Sequence, residues 1–327
     1  MARILVTGGA GYIGSHACKA LARAGHEPIT LDNLSTGWRE AVRYGPLEEA
    51  SLLDRAAVDA VLARRRPEAV MHFAALSNVG ESMQRPDLYW RNNVVGSMTL
   101  LDAMVAAGID KLVFSSTCAT YGEQDGVVLT EAASQVPISA YGSSKYAVEQ
   151  MLRDYGASYG MKSVSFRYFN VAGADPDREI GEFHRPETHL IPLALDAASG
   201  RREQLVINGT DYPTLDGTCV RDFVHVLDLI DAHQRGLDWL LDGGESSVFN
   251  LGTGMGFSVR EVIDQVARVT GTEVPHQEGP RRPGDAARLV SGSDRAQQIL
   301  GWELRHSTLA EMIGDAWGWH QSGQFRA

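Results

Sequence analysis

The chain has 327 residues, 44% hydrophobic and 22% charged, long enough for two lobes or one large α/β domain. Its net charge of −11 argues against a general nucleic-acid or membrane-surface binder, because both need a basic face. Three distant cysteines (Cys18, Cys118, Cys219) without a CxxC pair fit a reducing compartment and offer no disulfide or metal-ligand spacing, so no metal is expected.

The N-terminus, MARILVTGG, runs directly into a strand pattern without a cleavable apolar leader, and no segment approaches a membrane span. A cytoplasmic protein is expected. RILVTGG reads as a strand, followed by a helix to about Gly25, a natural C′ residue. EPITLDN is a second strand, and a helix over LDRAAVDAVLARR precedes a third, AVMHFAA. The basic run Arg64-Arg65-Arg66 reads as a solvated end of that helix rather than a binding patch. A long helix is expected from Pro86 to Ala107, opened by proline and closed by Gly108. KLVFSST and SVSFRYFN are later strands, with a helix from about Tyr141 to Tyr159 between them.

Near-continuous apolar strands alternating with helices predict an α/β fold: a Rossmann-type, doubly wound parallel sheet over residues 1–175. After about Gly173 the regularity ends, in GADPDREIGEFHRPETH. Residues 176–327 are read as mainly a smaller C-terminal α/β lobe, with the chain returning to the first lobe around 218–240.

TGGAGYIGSH spaces Gly8, Gly11 and Gly14 by three residues between the first strand and the first helix. Glycines permit the tight turn and a close backbone approach to a pyrophosphate, which the helix N-terminus attracts. Asp32 closes the second strand 18 residues after Gly14, where an acid accepts from ribose hydroxyls and repels a 2′-phosphate. The cofactor expected is NAD rather than NADP.

SAYGSSKYAVEQ puts Tyr141 and Lys145 at i and i+4, on one helix face. A tyrosine with a pKa near 10 becomes a usable base when an ammonium and a cationic nicotinamide ring favour its phenolate. Alone, this spacing more often marks a surface helix pair than a catalytic one. After a dinucleotide turn and the hydroxyl-rich strand end FSST, with Ser115, Ser116 and Thr117, it points to alcohol oxidation.

TGGAGYIG, the hydroxyl tip and YGSSK resemble the extended short-chain dehydrogenase/reductases. GES, Asn92-Asn93, RYFN, DYPTLDGT, VRDFVHVLDL, NLGTG and RRPGD extend the resemblance to nearly the whole chain, and to the UDP-glucose 4-epimerase family within that group. The resemblance implies NAD-dependent, reversible 4-epimerisation of UDP-sugars through a 4-keto intermediate. Tyr141 is then the base, with Lys145 beside it and Thr117 bonding the sugar O4. Related dehydratases and decarboxylases need carboxylates after that hydroxyl, whereas this chain has Cys118 and Ala119.

The same resemblance assigns Gly8, Gly11, Tyr12, Ile13, Gly14, Asp32, Asn33, Phe73, Ala74, Ala75, Asn92, Ser115 and Tyr168, with the catalytic pair, to NAD. It assigns Thr117, Phe169, Asn170, His189, Leu190, Val206, Asn208, Arg221, Arg282, Asp285 and Leu289 to the UDP-sugar. Ser51, Ser77 and Asn208 replace, respectively, an aspartate near adenine, a lysine near the cofactor and an aromatic near uracil. A homodimer is also implied, through a four-helix contact to which Val94, Val95, Met98, Leu101 and Val105 are suited. Those side chains would suit the core equally well. The alternative readings are a UDP-xylose/UDP-arabinose or UDP-N-acetylhexosamine 4-epimerase and, from another class, a non-catalytic NAD-binding scaffold.

Overall fold

The computed structural model describes residues 1–124, 128–282 and 285–323; Pro283 and Gly284 of the RRPGD motif lie outside them. The chain opens with β1 (Arg3–Thr7), α1 (Tyr12–Arg23), β2 (Glu27–Asp32), β3 (Leu47–Glu49), α2 (Arg55–Arg65) and β4 (Ala69–His72). In β1, Ile4 and Val6 join the core on one side of the sheet and Leu5 the core on the other. That is the period-two pattern of a strand covered on both faces. Asp54 caps α2 by accepting from the Ala57 N–H, and Arg66 ends it in a left-handed conformation. Arg64 and Arg65 pair with Glu48, so the basic run is a helix end.

The helix expected from Pro86 to Ala107 follows α3 (Val79–Gln84), but it is not uniform. It comprises α4 (Pro86–Tyr89), a π-helical stretch (Trp90–Val95) and α5 (Gly96–Ala107). The wider π turn accommodates Asn93 facing inward, and a buried amide must find partners. Its Nδ2 donates to the Leu76 carbonyl and to Ser144 Oγ, each at 3.0 Å, and its Oδ1 accepts from the Leu76 N–H at 2.9 Å.

Next come β5 (Lys111–Ser115), β6 (Val128–Leu129), α6 (Ala140–Tyr159) and β7 (Lys162–Arg167), then β8 (Asn170–Ala172), α7 (Leu190–Ala198) and β9 (Leu205–Asn208). The chain continues through β10 (Val220–Arg221), β11 (Phe223–His225), α8 (Val226–Leu241), β12 (Ser247–Asn250), β13 (Phe257–Ser258) and α9 (Val259–Thr270). It closes with β14 (His276–Gly279), β15 (Arg288–Ser291), α10 (Asp294–Leu300) and α11 (Leu309–Ser322).

The main sheet has the order β12-β7-β5-β4-β1-β2-β3, with every pairing parallel. Strand order reverses between β1 and β4, and the crevice at the carboxyl ends of these strands is where such sheets take ligands. The return to this lobe runs past the expected residue 240: α8 packs on α1, and β12 forms the sheet edge through Asn250. Conversely, β6 leaves the first half to join a four-stranded sheet, β13-β10-β15-β6, of the C-terminal lobe. That lobe has its own core of α7, α9 and α11 residues, including Ile191, Leu195, Val262, Val266, Met312 and Ile313. Among the described residues no helix is long and apolar enough to cross a membrane.

Candidate active site

The turn after β1 has no room for side chains. Gly8 has φ +73°, and a Cβ there would lie 2.6 Å from the Ala74 nitrogen. A Cβ at Gly14 would lie 2.2 Å from the Gly8 carbonyl oxygen. Gly11 starts α1 without a side-chain cap, leaving first-turn N–H groups open to an anion. The backbone cradle and uncapped helix fit a dinucleotide pyrophosphate.

Asp32 is buried at the end of β2 and accepts from the N–H groups of Ala10 (3.0 Å) and Leu34 (2.8 Å). Burial pushes its carboxyl up, while the Leu34 and Ala10 N–H groups pull it down. Asn33 is exposed and accepts from the Ser35 N–H. Phe73, Ala74 and Ala75 follow β4, with the Phe73 N–H on the Thr7 carbonyl at 3.0 Å, which seats this segment beside the glycine turn. Tyr12 donates from its hydroxyl to the Gly173 carbonyl (2.6 Å), joining α1 to the end of β8. Ile13 packs against the core.

β5 delivers the hydroxyl cluster. Ser115 bonds the Tyr168 hydroxyl, and the Ser115 carbonyl accepts from Lys145 Nζ at 2.8 Å. Thr117 Oγ1 accepts from the Ala119 N–H at 3.1 Å, starting a short 3-10 turn, donates to the Tyr168 carbonyl at 3.4 Å, and lies near enough to the Tyr141 hydroxyl to lower its pKa. Thr117 and Tyr141 therefore meet. α6 starts at Ala140, capped by Ser139, which places Tyr141 in its first turn and Lys145 one turn deeper.

The electrostatics differ from the simple Tyr–Lys picture. Burial pushes the Tyr141 phenol up to about 12, against the Thr117 hydrogen bond that lowers it. Burial also lowers the Lys145 ammonium to about 7, with Glu149 opposing. The protein alone thus keeps the Tyr141 phenol neutral and leaves the Lys145 ammonium about half-charged at neutral pH. Cys118 is fully buried and its thiol is pushed well up by desolvation, so it is no nucleophile.

A second group gathers at the four-stranded sheet of the C-terminal lobe. Asp285 lies between two arginines: Arg221 Nη2 is 3.4 Å from its Oδ1, and Arg282 Nε donates to its Oδ2 at 2.9 Å. Leu289 of β15 is the register partner of Arg221. β15 pairs with β6, whose Leu129 clusters with Cys118 at the catalytic strand tip. Asn170 Nδ2 donates to the Asp222 carbonyl at 3.1 Å, and Phe169 packs on Cys118, Tyr121 and Leu129. Val206 and Asn208 are half-buried on β9, which pairs with β14, and Leu190 opens α7. His189, the residue before Leu190, has its ring between Glu182 and Glu187.

Sequence reasoning assigned Asn92 to the cofactor but passed over Asn93, Glu149 and Arg167 as supports. Asn92 is half-buried and donates to Asn93, while buried Asn93 clamps Leu76 to α6. Beneath the tip, Glu149 accepts from Ser116 Oγ and from Arg167 Nε (2.9 Å), and Arg167 donates to the Tyr121 hydroxyl. The signal for Glu149 was available, since Tyr141, Lys145 and Glu149 recur every four residues along one helix face.

Residues 4–252 match the family described as NAD dependent epimerase/dehydratase. The UDP-glucose 4-epimerase of Rhizobium meliloti (strain 1021) is 54% identical over 317 residues, covering 97% of this chain and 96% of that protein. A crystal structure of UDP-glucose 4-epimerase from Brucella ovis in complex with NAD is similar with TM-score 0.95 and 45% identity, covering 97% of this chain and 98% of that one. A UDP-glucose-4-epimerase structure from Stenotrophomonas maltophila, with bound NAD and formylated UDP-arabinopyranose, is similar with TM-score 0.95 and 39% identity over 100% of both chains.

Proposed function

The chain belongs to the NAD dependent epimerase/dehydratase family, and from that premise we propose that it is an isomerase inverting C4 of UDP-sugars, UDP-glucose and UDP-galactose foremost, with NAD as resident cofactor. The observation that carries this reading is the meeting of Thr117 and Tyr141, with Lys145 one turn on and no carboxylate directly after Thr117. Such a site has the groups for reversible alcohol oxidation and lacks a second acid–base pair there for elimination.

When bound, NAD supplies the acceptor, and then the donor, of hydride at C4. Gly8, Gly11 and Gly14 leave the space for its pyrophosphate, and Asp32 has acceptor capacity left for ribose hydroxyls. Tyr141 takes the O4 proton, holds it while the keto sugar turns over, and returns it on the other face. Thr117 favours the phenolate by its hydrogen bond, and the Lys145 charge, together with a cationic nicotinamide, favours it further. Arg221 and Arg282 tether the diphosphate with planar donors while the sugar turns, and Asp285 takes the uridine ribose. The protein works as a cytoplasmic homodimer.

A second substrate class is favoured by Leu289, which borders the sugar pocket and is smaller than a tyrosine. The Stenotrophomonas maltophila relative holds a formylated UDP-arabinopyranose. UDP-pentoses and UDP-N-acetylhexosamines are therefore the substrates to try second.

Purified protein mixed with UDP-galactose, without added NAD, should produce UDP-glucose, seen as a new anomeric proton by NMR. Tyr141→Phe should lower the rate by about 10²- to 10⁴-fold, the range of general acid–base catalysis. No product even with added NAD, while a UDP-pentose turns over, would overturn the hexose assignment.

A further inference from the structure

Between β8 and α7 the chain carries Glu182, His184, Glu187 and His189 in the pattern E-x-H-x-x-E-x-H. One ligand atom from each lies within 4.8 Å of all the others. We propose that these four side chains form a structural site for a first-row divalent metal ion, with zinc as the reference ion.

The spacings carry the argument. His189 Nδ1 is 2.9 Å from Glu182 Oε1 and 3.1 Å from Glu187 Oε1. His184 Nδ1 is 3.4 Å from Glu182 Oε1 and 3.6 Å from Glu187 Oε2. Donors about 2.0–2.2 Å from a tetrahedral ion stand roughly 3.3–3.6 Å apart, which the two His184 separations match, while the two His189 separations are shorter by a few tenths of an ångström. His189 approaches both carboxylates closely, whereas His184 Nδ1 stands at ion-pair distance from the same two carboxylates without a well-directed hydrogen bond. An ion at the centre would give that nitrogen a directed partner.

Two imidazoles and two carboxylates select zinc, cobalt, iron or manganese over calcium or magnesium, which take oxygen. Four protein donors make a closed, structural arrangement. The segment is held ready for it: Trp38 Nε1 donates to the Phe183 carbonyl (3.0 Å) and Trp319 Nε1 to the Glu182 carbonyl (2.9 Å). A cavity of about 250 Å³, lined in part by Glu182, His184 and Glu187, gives an ion access. The other acidic group, Asp175, Asp177 and Glu179, differs because Lys19 Nζ already neutralises it from 2.6, 3.1 and 2.8 Å. The ion would fix the loop whose last residue, His189, stands at the N-cap position of α7.

The test uses full-length protein stripped with a chelator, then given Zn²⁺ or Co²⁺ and desalted. We expect about one zinc per chain by elemental analysis, and Co²⁺ protein showing the intense visible bands of a tetrahedral ion, which Zn²⁺ abolishes. His184→Ala and Glu187→Gln should each weaken Zn²⁺ binding by about 100-fold or more in calorimetry. His320→Gln, on the same cavity but outside the ligand set, should bind as the parent does. Absence of retained zinc and of the cobalt bands overturns the proposal, as does unchanged affinity in a folded His184→Ala protein. The wild-type cobalt spectrum decides the matter even where a variant fails to fold. Because the readout is metal content rather than turnover, its failure leaves the epimerase reading untouched.

Discussion

Lys145 is buried, and its ammonium donates to the Ser115 carbonyl, yet burial lowers its pKa from 10.5 to about 7. That depression means the folded protein holds the charge at a cost of at most about 5 kcal/mol. The cost is full at and below pH 7, shrinks as the folded form releases its proton, and vanishes above the unfolded value of 10.5. Lys145→Met should therefore raise the urea midpoint near neutral pH, and the gain should fade as the pH approaches 10.5. The same substitution should reduce epimerisation by about 100-fold or more, because the phenolate of Tyr141 loses its charged neighbour. A lysine kept where it destabilises the fold is what a functional site looks like. The Tyr141/Lys145 spacing was legible in the chain, but the environment that pushes one group up and the other down was not. Desolvation depends on what covers a side chain, and those covering groups come from distant positions.

At the scale of elements, α6 is held to the strand tip from below. Glu149 lies two turns past Tyr141 and pairs with Arg167 of β7, and both side chains are almost wholly buried. Glu149→Ala would leave a buried guanidinium without its counter-charge, a loss of about 3–5 kcal/mol in chemical denaturation. The double variant Glu149→Leu/Arg167→Met should recover most of that loss, since a buried pair replaced by apolar groups is often neutral. If the double variant were no better than Glu149→Ala, packing rather than the unpaired charge would be the cause. Helix ends near Gly25, Gly108 and Tyr159 were readable because glycine stops are local. The π-helical stretch was not, because its apolar spacing matches an α-helix until the inward asparagine is known. Of two adjacent asparagines, Asn93 rather than Asn92 became the clamp.

Over the whole molecule, Met83, Trp90, Val95 and Met98 leave an exposed apolar strip along the α3–α5 region, whereas Leu101 is in the core and Val105 packs on it. The face proposed for the dimer is therefore narrower than the five residues suited to it by sequence. Met98→Glu should convert the proposed dimer to monomer in light scattering after size exclusion, without lowering the urea midpoint of the isolated chain. A protein that stays dimeric would place the contact elsewhere. The chain by itself determined what depends on neighbours in sequence: strand and helix alternation, the glycine turn, the Asp32 terminus and the Tyr141/Lys145 face. Backbone sterics and periodicity act over a few residues, so they leave a trace there. Tertiary structure alone decided what joins distant segments: β6 crossing into the second lobe, β12 closing the first sheet, and Arg221, Asp285 and Leu289 coming together beside β15. It also decided that two indoles, from Trp38 and Trp319, would shape an irregular loop until four donor atoms converge. Such pairings have no period along the chain and arise only when buried surface offsets the entropy of closing long loops.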